Sequence, residues 1–250
     1  DATPDSSQRK QGITWRDGVG RPVILLASSR EGEETLFLKE IEALSSVEWS
    51  EFAINSGLSR GSSSVQWLIV PRHPQRFDEV AALIVRHGFR VSRRSTWGAM
   101  PPVDPKDDAR GTMDVISLEP EEPVDLPPIW LGDSIGEMAL YYSMSDVALL
   151  GGSFEPLGGQ NLIEAAACGC PIVMGPNTFN FAEAAELAQT AGAAQAVPDM
   201  ASGCRTALAL ANFASRQTEQ AVAAETFAAA HRGAADRTAM AILALMHKSV

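Results

Sequence analysis

The sequence predicts an α/β fold, a Rossmann-like doubly wound parallel sheet. Three observations point to it. Short, continuously apolar runs recur along the chain, as strands covered on both faces require; stretches with apolar residues at spacings of three and four follow them; and glycine-bearing turns join one to the next.

Residues 1–21 are rich in Ser, Asp, Gln and Gly without a clear period, so they read as a linker or irregular lead-in to a domain covering 22–250. Residues 23–27 form the first buried strand. A helix follows, with Phe37, Ile41 and Leu44 on one face and Glu31, Glu33 and Glu34 in the first turn, where the helix dipole favours acids. Residues 45–64 read as a loop. Residues 65–70 make a second strand ending at Pro71, and Phe77, Val80, Ala81, Ile84 and Val85 then give the strongest helical stripe in the chain, stopped by Gly88. Residues 90–95 suit a third strand. Residues 96–128 form an irregular excursion dense in Pro, Asp and Glu, in which only 115–118 looks extended. Strands are expected again at 129–131, 147–150 and 171–174, alternating with helices from near Ser134, from Asn161 and over 181–191. The last fifty residues read as helical, with Met240, Leu243 and His247 on one stripe.

Composition narrows the function classes. The 250 residues, 45% hydrophobic and 20% charged, suffice for one large domain with a substantial core. A formal net charge of -11 with scattered arginines leaves no broad basic face, so nucleic acid is not an expected partner, and any anionic ligand must be held by a local device. Cys168, Cys170 and Cys204 read as buried thiols of a reduced, cytoplasmic chain; no metal site is expected. No apolar run approaches the roughly 20 residues of a membrane helix. The start at Asp1 without a Met fits a processed chain or a fragment of a longer protein.

The most informative stretch runs from Leu149 to Glu164. It couples a strand to a loop with two Gly-Gly pairs, Gly151-Gly152 and Gly158-Gly159, and then to a helix start at Asn161, Leu162 and Ile163. Glycines let the backbone approach a ligand closely, and amides at a helix start suit an anion, so this reads as a phosphate cradle, with Ser153 inside it. Glu164, one turn into the helix, is placed to accept from ribose hydroxyls. Tight turns are the plainer alternative. Neither the dinucleotide-binding glycine fingerprint nor a P-loop motif is present, which disfavours dehydrogenases and P-loop phosphotransferases.

Three further turns carry candidates. Pro71 and Arg72 stand where a strand ends; an arginine there can pair with phosphate and stabilise charge on a leaving group, or it is a surface residue, while Arg76 reads as structural. Ile135, Gly136 and Glu137 can present main-chain groups to a base, or simply turn the chain. Ser28, Ser29 and Arg30 open the first helix and can either meet a donor's carboxylate or phosphate or serve as caps.

Taken in order, Pro71-Arg72-His73-Pro74, Gly151-Gly152-Ser153, Gly158-Gly159-Gln160-Asn161 with Glu164, and the segment from Met174 through Gly175, Pro176, Asn177, Thr178, Phe179 and Asn180 to Phe181 resemble the C-terminal domain of the 3-deoxy-D-manno-octulosonic acid (Kdo) transferases. The likeness runs from about residue 21 to about residue 197. It implies the C-terminal half of a GT-B glycosyltransferase, whose second domain binds CMP-Kdo, with Pro71 and Arg72 at the phosphate, Ile135 to Glu137 at the cytosine, and Asn161 to Glu164 at phosphate and ribose. The implied reaction is inverting, metal-independent and cofactor-free transfer of Kdo to a lipid A precursor in lipopolysaccharide biosynthesis, at the cytoplasmic side of the inner membrane. The family's catalytic carboxylate and its membrane-facing, lipid-binding surface belong to the N-terminal domain, so the resemblance implies no catalytic residue in this chain. Arg30 and Gln160 stand where the family usually shows histidine, which touches the donor-sugar role first. A UDP-sugar GT-B domain and a non-catalytic nucleotide-binding domain are the alternatives.

Overall fold

A computed structural model describes residues 3–44, 65–102, 128–231 and 240. Its elements in chain order are α1 (Ser6–Val19), β1 (Val23–Ser29), α2 (Glu33–Leu44), β2 (Gln66–Pro71), α3 (Phe77–Arg86), β3 (Val91–Arg93), β4 (Ile129–Leu131), α4 (Met138–Met144), β5 (Val147–Leu150), α5 (Ile163–Ala167), β6 (Ile172–Met174), α6 (Ala182–Thr190), β7 (Ala194–Ala196), α7 (Met200–Asn212) and α8 (Ala214–Ala230). The strands form one seven-stranded sheet in the order β3-β4-β2-β1-β5-β6-β7, and every pairing is parallel.

The continuously apolar strands are covered on both faces. Along β1, Val23, Leu25 and Ala27 point into one core while Ile24 and Leu26 point into the other, as the two-residue period of a strand dictates. The first core is closed by α1, α4, α5, α6 and α8, contributing Trp15, Leu140, Ala166, Ala185 and Phe227 among others. The second is closed by α2, α3 and α7, with Phe37, Ile41, Val80, Ile84 and Leu208. Helices on both faces make the sheet doubly wound, as the sequence predicts.

Residues 1–21 differ from the expectation. Most of them form α1, which is no lead-in. Asp5 caps it by accepting from the amides of Ser7 at 2.8 Å and Gln8 at 2.9 Å, and Gly20, in the left-handed region at φ 69°, ends it. Gly12, Trp15 and Val19 face the core; a side chain on Gly12 would strike the carbonyl of Leu140 at 2.6 Å, so α1 lies tight on α4. The polar remainder of the segment covers the outer face, which is why no period stood out.

Smaller differences concern element starts. The helix expected near Ser134 begins at Met138, because Gly136 at φ 79° breaks the backbone path between them. The helix expected from Asn161 begins at Ile163. The Met240 side chain is exposed, while Leu243, His247, the 45–64 loop and the extended segment at 115–118 lie outside the described residues. Among the described residues no helix is long and apolar enough to cross a membrane.

Candidate functional site

Sheet order fixes where a ligand fits. From β1 the chain adds β2 beside it, then β3 at the edge and β4 between β2 and β3, before it crosses to the other side of β1 with β5 and continues through β6 and β7. The direction reverses between β1 and β5. In open α/β sheets the crevice beyond the carboxyl ends of the strands at such a switch point is where ligands bind. The loop after β1 carries Ser28, Ser29 and Arg30; the loop after β5 carries both Gly-Gly pairs; Arg72 follows β2, and residues 132–137 follow β4. All the expected site residues therefore gather at one end of the sheet, Arg72 and Asn161 included.

The end of β1 is tightly built. Ser28 is held at φ 52°, an uncommon conformation for a residue with a side chain, beside a register shift between Ala27 and Ser29. The backbone of β5 comes so close that a Cβ on Gly151 would meet the carbonyls of Ala27 and Ser28 at 2.5 Å. Ser29 is fully buried and donates its hydroxyl to Glu34 at 2.7 Å. Arg30 is half-buried; its amide donates to Glu33 at 2.9 Å and its side chain pairs with exposed Glu31. Glu33 and Glu34 do lie in the first turn of α2, as expected, and they are 0% and 1% exposed. Glu33 also accepts from the amides of Gly152 at 2.7 Å and Phe154 at 3.0 Å. Burial pushes its carboxyl up, against the opposing pull of those amides. Glu34 binds Arg76 through both oxygens, at 2.8 and 3.2 Å, which confirms Arg76 as structural and anchors the segment after Arg72.

The loop after β5 is folded on itself and on the loop after β6. Ser153 is fully buried; its hydroxyl donates to the carbonyl of Leu150 and accepts from the amide of Gly175 at 2.8 Å. Gly159 donates its amide to Gly152 at 2.7 Å, drawing the two glycine pairs together. At Gly158, with φ 90°, a Cβ would lie 2.1 Å from the side-chain nitrogen of Asn180, so glycine is required there. Asn177 and Asn180 brace this loop through Ser153, Leu157 and Gly158. Leu162 is buried, and exposed Asn161 accepts from the amide of Ile163 at 3.0 Å. With five residues α5 has little dipole of its own, so the close backbone of the glycine loop, more than the helix, shapes the cradle.

Arg72, after β2, and Glu164, after β5, are close enough for the charge of one to act on the other. Arg72 is exposed, its backbone amide tied to Ser29 at 3.0 Å. Burial pushes the carboxyl of half-buried Glu164 up, and the Arg72 charge pulls it back. Tyr142, on α4, feels both: burial and Glu164 raise its hydroxyl's pKa, and Arg72 lowers it. Pro71 is buried at the end of β2.

The loop after β4 is fastened from outside. Asp133 accepts from Arg93 at 2.7 Å and from the amide of Ser95 at 2.8 Å. Glu137 accepts from Arg94 at 2.9 Å and from Ser134 at 2.5 Å. Ile135 is 78% exposed, and the carbonyl of Gly136 accepts from Gln8 of α1 at 2.9 Å. Reading the sequence misses Glu33, Glu34, Arg94, Asp133, Tyr142 and Gln8. Only the adjacent buried acids leave a trace in it, as a Glu-Glu pair straight after Gly32.

No protein-family model matches the chain. A 3-deoxy-D-manno-octulosonic acid transferase of Bordetella pertussis is 41% identical over 238 residues, covering 95% of this chain and 48% of the relative. A transferase of the same name from Haemophilus influenzae is 34% identical over 163 residues, 65% of this chain and 30% of the relative. The chain thus spans about half the length, or less, of these curated relatives. Among solved structures, the C-terminal CMP-Kdo binding domain of WaaA from Acinetobacter baumannii superposes with a TM-score of 0.66 at 23% identity, covering 89% of this chain and 98% of that one. By sequence the chain belongs with the 3-deoxy-D-manno-octulosonic acid transferases, and its all-parallel sheet is that of a GT-B glycosyltransferase C-terminal domain.

Proposed function

We propose that this chain is the donor-binding domain of a Kdo transferase and that it holds CMP-Kdo in the switch-point crevice, without metal or cofactor. The observation that carries the nucleotide reading is topological: Arg72 follows β2 and Glu164 follows β5, on either side of β1 at the same end of the sheet, with a glycine loop too tight for side chains leading into Glu164. In this arrangement Arg72 neutralises the phosphate and steadies CMP as it leaves, while Glu164 accepts from the ribose. Gly158, Gly159, Asn161, Leu162 and Ile163 lie along the phosphate, and the backbone of Ile135, Gly136 and Glu137 lies along the cytosine. Ser28 and Arg30 border the donor sugar, to which Ser29 contributes through its backbone. The names of the relatives supply the sugar.

The other half of the relatives' length would provide the catalytic carboxylate, the lipid A precursor site and peripheral contact with the cytoplasmic face of the inner membrane. Calorimetric titration with CMP, UMP and UDP tests the reading. CMP should bind at least about 10-fold more tightly than either uridine nucleotide, a difference of about 1.4 kcal/mol. Tighter binding of UDP would favour a UDP-sugar domain. Incubation of the chain alone with CMP-Kdo and a lipid A precursor should yield no transfer.

A further inference from the structure

Of the buried groups at the crevice, Glu33 is the one whose chemistry is least explained by packing. It opens α2, yet it is fully buried, and its two oxygens take three backbone amides: Arg30 at 2.9 Å, Gly152 at 2.7 Å and Phe154 at 3.0 Å. Gly152 and Phe154 lie beyond the end of β5, where no neighbouring strand pairs with them. An ionised carboxylate offers about four acceptor sites and no donor, so among side chains it alone suits such a set of converging N–H groups. The amides in turn offset the cost of burying its charge.

We propose that Glu33 is a positioning residue of the crevice, its carboxylate fixing the glycine loop after β5 against the end of β1 and so setting how tightly the nucleotide is held. The ligand in this proposal rests on the function proposed above; the mechanism rests on geometry alone. Glu33 holds Gly152, and the carbonyl of Gly152 holds the amide of Gly159 at 2.7 Å, so the hold passes from the first glycine pair to the second. Glu34 reaches the other way, to Ser29 and to Arg76 behind Arg72. One turn of α2 thereby ties together the loops that carry Arg72 and the glycine cradle.

Glu33→Gln replaces one acceptor oxygen with an NH2 group facing an amide, and Glu33→Asp withdraws the charge by one methylene. Ile84→Val, on α3 in the core of α2, α3 and α7, serves as a stability control. CMP affinity is measured by calorimetry with all variants folded, together with hydrogen exchange at the amides of Gly152, Phe154 and Gly159. Both Glu33 variants should weaken CMP binding about 10-fold or more and speed exchange at those amides, as expected for losing a charged acceptor, whereas Ile84→Val should bind as the unmodified chain does. Should Glu33→Gln fail to fold, Glu33→Asp carries the test. Unchanged affinity in the Glu33 variants, or an equal loss in Ile84→Val, would overturn the proposal. If the unmodified chain binds no CMP, the nucleotide reading has failed separately, and unaltered exchange at Gly152 and Gly159 would overturn the positioning role by itself.

Discussion

The side-chain amide of Gln8 donates to the carbonyl of Gly136 at 2.9 Å, joining α1 to the loop proposed to face the base. Arg94 strengthens the same junction. Its guanidinium lies 5.0 Å from the centre of the Trp15 ring while it pairs with Glu137 at 2.9 Å. The first helix therefore buttresses that loop, and its loss should be felt there as well as in the core.

Trp15 is the anchor of that helix. It is 2% exposed, meets Trp97 edge-on and donates its indole N–H to the carbonyl of Ala99 at 3.0 Å. Trp15→Ala should destabilise the chain by about 3–5 kcal/mol, measured by urea unfolding, with a cavity left behind. Gln8→Ala, by contrast, should leave the unfolding midpoint nearly unchanged and reduce the preference for CMP over UMP.

Arg76 and Glu34 form an ion pair with side chains 8% and 1% exposed. Removing one partner strands a buried charge, so Arg76→Met should cost about 3–5 kcal/mol. Arg76→Lys should not restore it, because a single ammonium cannot reproduce the two-pronged contact. Adding Glu34→Gln to Arg76→Met should cost less than the sum of the two single changes, a coupling read from a double-mutant cycle of unfolding free energies.

Gly151 separates the ends of β1 and β5 by less than a methyl group. Gly151→Ala places its new carbon against two carbonyl oxygens at 2.5 Å and should destabilise by about 1–3 kcal/mol. Gly98→Ala meets nothing within 4 Å and should stay within about 0.5 kcal/mol of the unmodified chain.

Glu164 provides a pH signature. Burial raises its folded pKa above the unfolded carboxylate value of 4.5, and Arg72 opposes that rise. The raised pKa means its contribution to stability is complete below about pH 4.5 and is lost as pH climbs through the folded value. Arg72→Met should raise the folded pKa further and widen that window, which a carbon-detected NMR titration of the Glu164 carboxyl would read directly. An unmoved titration would separate the two residues.

Much of this architecture is legible in the sequence because buried parallel strands are written as unbroken apolar runs, as at residues 23–27. Glycine loops are legible because only glycine tolerates the approach seen at Gly151 and Gly158. The first helix was hidden because its inward face is Gly12, Trp15 and Val19, a stripe one large side chain wide, amid polar residues. Glu33, Asp133 and Arg94 were hidden for another reason. As sequence they are surface charges, and only loops brought together from distant strands turn them into buried acceptors and clamps. Ser29 and Ser153 show the converse, small polar residues that read as ligand contacts while their hydroxyls are bonded within the protein.

The most direct test of the account is to follow backbone amide resonances of the chain as CMP is added. The account predicts that Arg72, Gly136, Gly158, Gly159, Asn161 and Glu164 shift together and saturate at one Kd. Shifts that leave these six residues unmoved, or none at all, would contradict it.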